Sequence, residues 1–193
     1  ADPGAELPDT YQLWDYLNEW RRLNNGIPLT KKKKSLYDDI IRGQNSTGQR
    51  WASIPAFGES GGMIRRQCTL EYKINVVVKI IRELHGLKKY GRMKPTEIWL
   101  GISLDEIQRM KESRIPKVTY HYPLIDQKIT RSDCKKFLEE RSFHNVKKSS
   151  CVFCPYHSNR QWREIKEDYP EEWKKAIKVD KAIRDSSKRG VKD

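Results

Sequence analysis

The longest uninterrupted apolar stretch in this 193-residue chain is the tetrapeptide Cys151-Val-Phe-Cys154. No transmembrane helix can be built from so short a run, and no signal-peptide core is visible. A core must therefore come from large side chains scattered through a polar chain. Six Trp, nine Tyr and four Phe supply them, in a sequence 36% hydrophobic and 34% charged, enough for one folded domain by default. Lys and Arg outnumber Asp and Glu by 39 to 26, a formal net charge of +13. Such an excess points to a polyanionic partner, a nucleic acid or a nucleotide. Four cysteines are too few for a disulfide scaffold, so a reducing, cytoplasmic setting is expected.

Pro8-Asp9-Thr10 predicts a helix start with Asp9 at the N-cap. Leu13, Trp14, Leu17 and Trp20 form one apolar stripe, and Asn24-Asn25-Gly26 ends that helix. Lys31 to Lys34 reads as a solvated basic loop. Residues 43–62 read as a long polar loop around an apolar island, Trp51 to Phe57. From Cys68 to Leu84 the pattern is helical, with Leu70, Ile74, Val77, Ile81 and Leu84 on one face and Gly86 at the cap. Glu97 to Ile102 is the best strand candidate, and Ser103 is placed to cap a helix beginning Leu104-Asp105-Glu106. Val118 to Leu124 reads as a second extended piece, and Thr130 caps a helix to about Glu140. Two more helices follow, around Trp162 to Lys166 and after Pro170, before a frayed tail from Ser186. Helices alternating with strands indicate an α/β layer fold with a parallel sheet. Only two or three strands are legible, few for such a sheet.

Cys151-Val-Phe-Cys154 is the sharpest chemical signal. Two thiolates three residues apart can clasp one metal ion or one iron–sulfur cluster. A thioredoxin-type redox pair competes, but it wants the motif at a helix start directly after a strand, and here a polar loop, Lys147 to Ser150, precedes it. Cys68 and Cys134 complete the four thiols of a [4Fe–4S] or zinc site, the alternative being that they are small buried residues. His144 and His157 are substitute ligands or ordinary histidines. Arg65, Arg66 and Lys73 surround a helix start, an arrangement suited to phosphate or sulfate, or else a basic solvated surface. Glu106 and Arg109 lie on the strand-to-helix turn where open α/β sheets bind ligands, or simply pair with each other. Ser60-Gly61-Gly62 lacks the Asp and second Ser of a phosphate loop and is not one.

Taken in order, Arg65-Arg-Gln-Cys-Thr-x-x-Tyr-Lys73, Gly101-Ile-x-x-Asp-Glu-x-x-Arg-x-Lys111, Tyr122-Pro-Leu-Ile125, Arg131-x-Asp-Cys134 and Lys148-Ser-Ser-Cys-x-x-Cys-Pro155 form a recognisable set. It resembles the phosphoadenosine phosphosulfate (PAPS) reductase-like branch of the PP-loop, adenine nucleotide α-hydrolase superfamily, from Ala1 to about Arg184. The resemblance implies a doubly wound, mostly parallel α/β sheet flanked by helices. It divides the chain into a partial nucleotide-binding core over 1–125 and a helical, cysteine-bearing region over 126–193. It implies binding of ATP or another adenine nucleotide by Arg65, Arg66, Lys73, Glu106 and Arg109, and an iron–sulfur cluster on Cys68, Cys134, Cys151 and Cys154. The implied activity is sulfur transfer or adenylation, with tRNA or DNA as a polyanionic substrate. The family's Ser-Gly-Gly-x-Asp-Ser loop is expected before residue 1, supplied by a preceding segment or a partner chain. No redox cysteine stands near the C-terminus, so PAPS reduction itself is not the expected chemistry. The alternative is a non-catalytic, basic nucleic-acid-binding module stapled by a four-cysteine zinc site.

Overall fold

A computed structural model describes residues 1–45, 47–48, 51, 54–56, 67–88, 90–144 and 146–184. The helices and strands run, in order, α1 (Pro8–Leu23), α2 (Leu36–Ile41), α3 (Asn75–Leu84), β1 (Thr96–Trp99), β2 (Val118–His121), α4 (Pro123–Asp126), α5 (Arg131–Glu139), α6 (Asn159–Asp168) and α7 (Pro170–Arg184). A π-helical turn, Leu70–Ile74, leads into α3, and a 3-10 helix, Leu104–Arg109, follows β1. The chain divides into two compact units, Ala1–Ile80 with Lys147–Asp193, and Ile81–Val146. This division does not coincide with a boundary at residue 125, because the segment from Lys147 onward packs with the N-terminal residues.

In the first unit Asp2, Pro3, Ala5, Glu6 and Leu7 are buried. The Asp2 amide donates to Lys32 O at 2.9 Å, Lys34 N to Asp2 O at 2.8 Å, and Val152 N to Ala5 O at 2.8 Å. Gly4 has φ +76°, and a Cβ there would stand 2.9 Å from the Lys33 side chain and 3.3 Å from Ser35, so this close approach needs glycine. Around the segment, Leu36, Ile40, Trp51, Ile54, Tyr72, Val152, Phe153, Ile165, Ala176 and Val179 close one core. The apolar island is thus a core element at Trp51 and Ile54, while Phe57 lies outside the described residues. α7 packs on both α2 and α6.

Several local expectations change. α1 starts at Pro8 with Leu7 as its N-cap, and Asp9 sits in the first turn, where it complements the helix dipole instead of capping. Its end at Asn24, Asn25 (φ +49°) and Gly26 is as the sequence predicts. α2 went unpredicted: six residues are too few to show a period, although Ser35 Oγ caps it by accepting from Asp38 N. Lys34 is half-buried, not solvated. The helix from Cys68 to Leu84 forms, but the π turn inserts a residue and rotates its faces. Leu70, Ile74 and Val77 end up exposed, while Glu71, Tyr72 and Val76 are buried.

The second unit holds two parallel strands, with Thr96 opposite Val118 and Trp99 opposite His121. Helix and parallel strand together make a mixed α/β architecture. The turn after Ser103 is a 3-10 helix, not an α-helix. Its backbone kinks at Glu106 (φ −112°), and the Ser103 side chain makes no cap bond. The second extended piece stops at His121, because Pro123 opens α4 with its ring already at helical φ. Thr130 caps α5 as expected, in a reciprocal capping box with Asp133.

Candidate functional site

The Cys151–Cys154 turn is held from below. Val152 and Phe153 point into the core, 0% and 4% exposed, so the tetrapeptide's apolar centre anchors it. The two cysteines are left partly buried at its ends. Cys154 N donates to Cys151 O at 2.9 Å, and His157 Nε2 lies 2.9 Å from the same carbonyl. Cys68, at the head of the helix that becomes the π turn, packs against the same core. Burial pushes the Cys151 thiol up to about 12. The charges of Glu6, Cys154 and Cys68 reinforce the shift, and Lys73 opposes it. Three thiols, one carboxylate and one ammonium therefore share an electrostatic neighbourhood, drawn from three separate stretches of chain. At so high a pKa an unassisted Cys151 thiolate is scarce near neutrality, which disfavours the thiol–disulfide reading. A coordinated cation reverses that balance, because a metal-bound thiol deprotonates outright.

Glu6 is buried, and its carboxylate accepts from Ser149 Oγ at 3.0 Å. Burial holds its pKa above the usual range, while Ser149 and Lys73 pull it back. Tyr11, whose hydroxyl donates to Asp2 Oδ1 at 3.1 Å, is pushed up to about 12 by burial. A cavity of about 400 Å³ opens between Gly4, Glu6, Tyr11, Val152, Glu172 and Lys175. Beside this region runs a second buried polar chain. Lys34 Nζ donates to Glu71 O at 2.9 Å and stands 5.0 Å from the Tyr72 ring centre. Tyr72 donates its hydroxyl to Asp39 Oδ2 at 2.7 Å, Asp39 pairs with Arg42, and Asn45 Nδ2 reaches Glu71 Oε2 at 3.5 Å. Burial lowers the Lys34 pKa.

Of the residues singled out from sequence, Cys68, Cys151, Cys154 and Lys73 come together in the first unit. Arg65, Arg66 and the Ser60-Gly61-Gly62 tripeptide lie outside the described residues. Cys134 sits on α5 of the second unit. Glu106 and Arg109, also in the second unit, pair with each other at 2.8 Å on the exposed 3-10 helix. Asp105 accepts instead from the Arg131 backbone N at 2.5 Å. His144 is exposed. Sequence reading missed Glu6, Lys34, Asp39, Asn45 and Glu71, because nothing in local pattern distinguishes a buried polar group from a surface one. Among the described residues no three His, Cys, Asp or Glu side chains stand close enough together to hold a metal ion. In donor chemistry Cys68, Cys151 and Cys154 do fit a soft metal or an iron–sulfur cluster, which thiolates select.

Among the described residues no helix is long and apolar enough to cross a membrane. Comparisons with protein-family models, curated proteins and solved structures find no match to this chain.

Proposed function

We propose that this chain is the core of a PP-loop, PAPS reductase-like enzyme. On this reading it works on an adenine nucleotide in the reducing cytoplasm, with sulfur transfer or adenylation as its chemistry and a nucleic acid as its substrate. The proposal includes a doubly wound sheet, to which the parallel pair β1–β2 would contribute. One observation carries the reading: Cys68 and the Cys151–Cys154 pair, more than 80 residues apart in sequence, lie within electrostatic reach of one another beside Lys73.

Cys68, Cys151 and Cys154, all in the first unit, would hold an iron–sulfur cluster. Bound there, it would supply an electron couple or a sulfur-bearing centre. The chain's own residues do the rest. Val152 and Phe153 keep water from beneath the turn, and His157 fixes the Cys151 carbonyl. Lys73 offers a cation for a phosphate or sulfate oxygen, joined on this reading by Arg65 and Arg66. Glu6, whose carboxyl burial holds above the usual carboxylate range against the opposing Ser149 hydrogen bond, is the carboxylate placed to take or give a proton beside the thiols.

The test is iron, zinc and acid-labile sulfide content of anaerobically purified protein. About four irons and four sulfides per chain, lost in Cys151→Ser, are the expected result. One zinc and no sulfide would replace this reading with that of a zinc-stapled binding module. Protein free of metal and sulfide would remove the cofactor from the proposal and leave the thiols as core residues.

A further inference from the structure

The second unit displays aromatic rings where a stable small fold would bury them. Trp99, the last residue of β1, is 69% exposed. Its ring centre lies 6.2 Å from that of His121, its partner in register at the end of β2. In parallel sheets the carboxyl ends of the strands are where ligands dock. Independently, Phe137 on α5 is 53% exposed, and the Arg141 guanidinium stands 3.5 Å from its ring centre. The same helix exposes Arg131, Lys135 and Lys136; Asp133 feels the charge of Lys136, and Glu140 lies 4.0 Å from the Arg141 guanidinium.

Exposed rings beside exposed cations suit one kind of partner. Unpaired bases stack on aromatic faces and on guanidinium planes, while Lys and Arg neutralise the phosphates between them. A duplex hides its base faces and would use the cations alone. A protein partner has no general need of the exposed cations, and in a chain of net charge +13 the charge complementarity is to a polyanion. We infer that the second unit binds single-stranded nucleic acid, stacking bases on Trp99 and on the Phe137–Arg141 pair, with α5 cations on the phosphates. This rests on the proposed reading only in taking nucleic acid as the partner class. It is independent of the thiol site, which lies in the other unit.

The experiment is fluorescence-anisotropy binding of labelled oligo(dT) and oligo(U), each against a duplex of equal length, over a salt series with the full chain. Single strands are expected to bind tighter than duplex. Trp99→Leu and Phe137→Leu keep apolar bulk but remove the ring, and each should weaken single-strand binding roughly 5- to 100-fold. Neither should change the dependence on salt, which counts phosphates. Lys135→Gln with Lys136→Gln should lower the salt slope by about 1.4. Trp99→Phe should retain binding, which separates loss of the ring from loss of fold. Preference between oligo(dT) and oligo(U) assigns DNA or RNA. Equal affinity for duplex and single strand, or unchanged affinity in both Leu variants, overturns the inference. Normal iron and sulfide content in those same variants shows that the thiol site stands apart from either result.

Discussion

At the scale of single residues, the thiol turn is governed by His157 as much as by its cysteines. Its ring meets Trp162 edge-on at 5.0 Å and bonds the Cys151 carbonyl. Burial lowers its pKa, so the folded protein favours the neutral imidazole. The unfolded chain binds a proton first, near pH 6.5, and stability contributed by the neutral ring is lost as pH falls from there through the lowered folded value. We expect chemical-denaturation stability to decline over that acid window in the native sequence. In His157→Gln, whose amide can still donate to the carbonyl, the decline should flatten; an equal slope in both proteins would assign it to other groups. Of this region, the Cys-x-x-Cys pair was plain from spacing alone, and Cys68 and Lys73 were legible as candidates. Glu6, Asp39 and Glu71 were not. A carboxylate's burial depends on where distant segments return, and neither charge nor period encodes that.

At the scale of elements, some boundaries are readable from side-chain chemistry, that of α5 at Thr130 among them. Thr130 and Asp133 form the reciprocal capping box that the sequence suggests, and Asn25 and Gly26 end α1 where their backbone freedom suggests; the equal box of Ser158 with Gln161 starts α6 three residues before the helix read around Trp162. Elements set by tertiary contact were less legible. The π turn at Leu70–Ile74 looks from sequence like ordinary helix, and an amphipathic stripe counted at 3.6 residues per turn therefore names the wrong face. α2, too short for a period, is stabilised by Leu36 and Ile40 entering the core, 2% and 1% exposed. The caps lend themselves to measurement. Thr130→Ala removes the Oγ that accepts from Asp133 N, and should cost about 1 kcal/mol. Native-state amide exchange should then quicken about fivefold in the first turns of α5 and not in α6. Ser158→Ala should give the converse pattern, and equal effects on both helices would mean that the two caps report one cooperative unit.

At the scale of the molecule, the first unit is discontinuous. Its core takes Leu36, Ile40 and Tyr72 from before residue 80 and Val152, Phe153, Ile165 and Val179 from after residue 147. A chain ended after Val146 should therefore lose the first unit altogether. Trp51, 6% exposed in the full chain, should show solvent-exposed emission in the truncated one, whereas a blue-shifted Trp51 signal there would show that the N-terminal segment has a sufficient core of its own. The α/β class could be inferred from alternating helix and strand signals. The discontinuity could not, since it is a property of which distant segments meet.

That closure by the last helices sets a timetable for biosynthesis. Translation proceeds at about 5–20 residues per second, so the N-terminal segment would wait roughly 5–21 s while residues 81–184 are made. Through that interval Ile40, Tyr72 and Trp51 have no core to enter, and the nascent chain offers chaperones an apolar target until α7 leaves the ribosome.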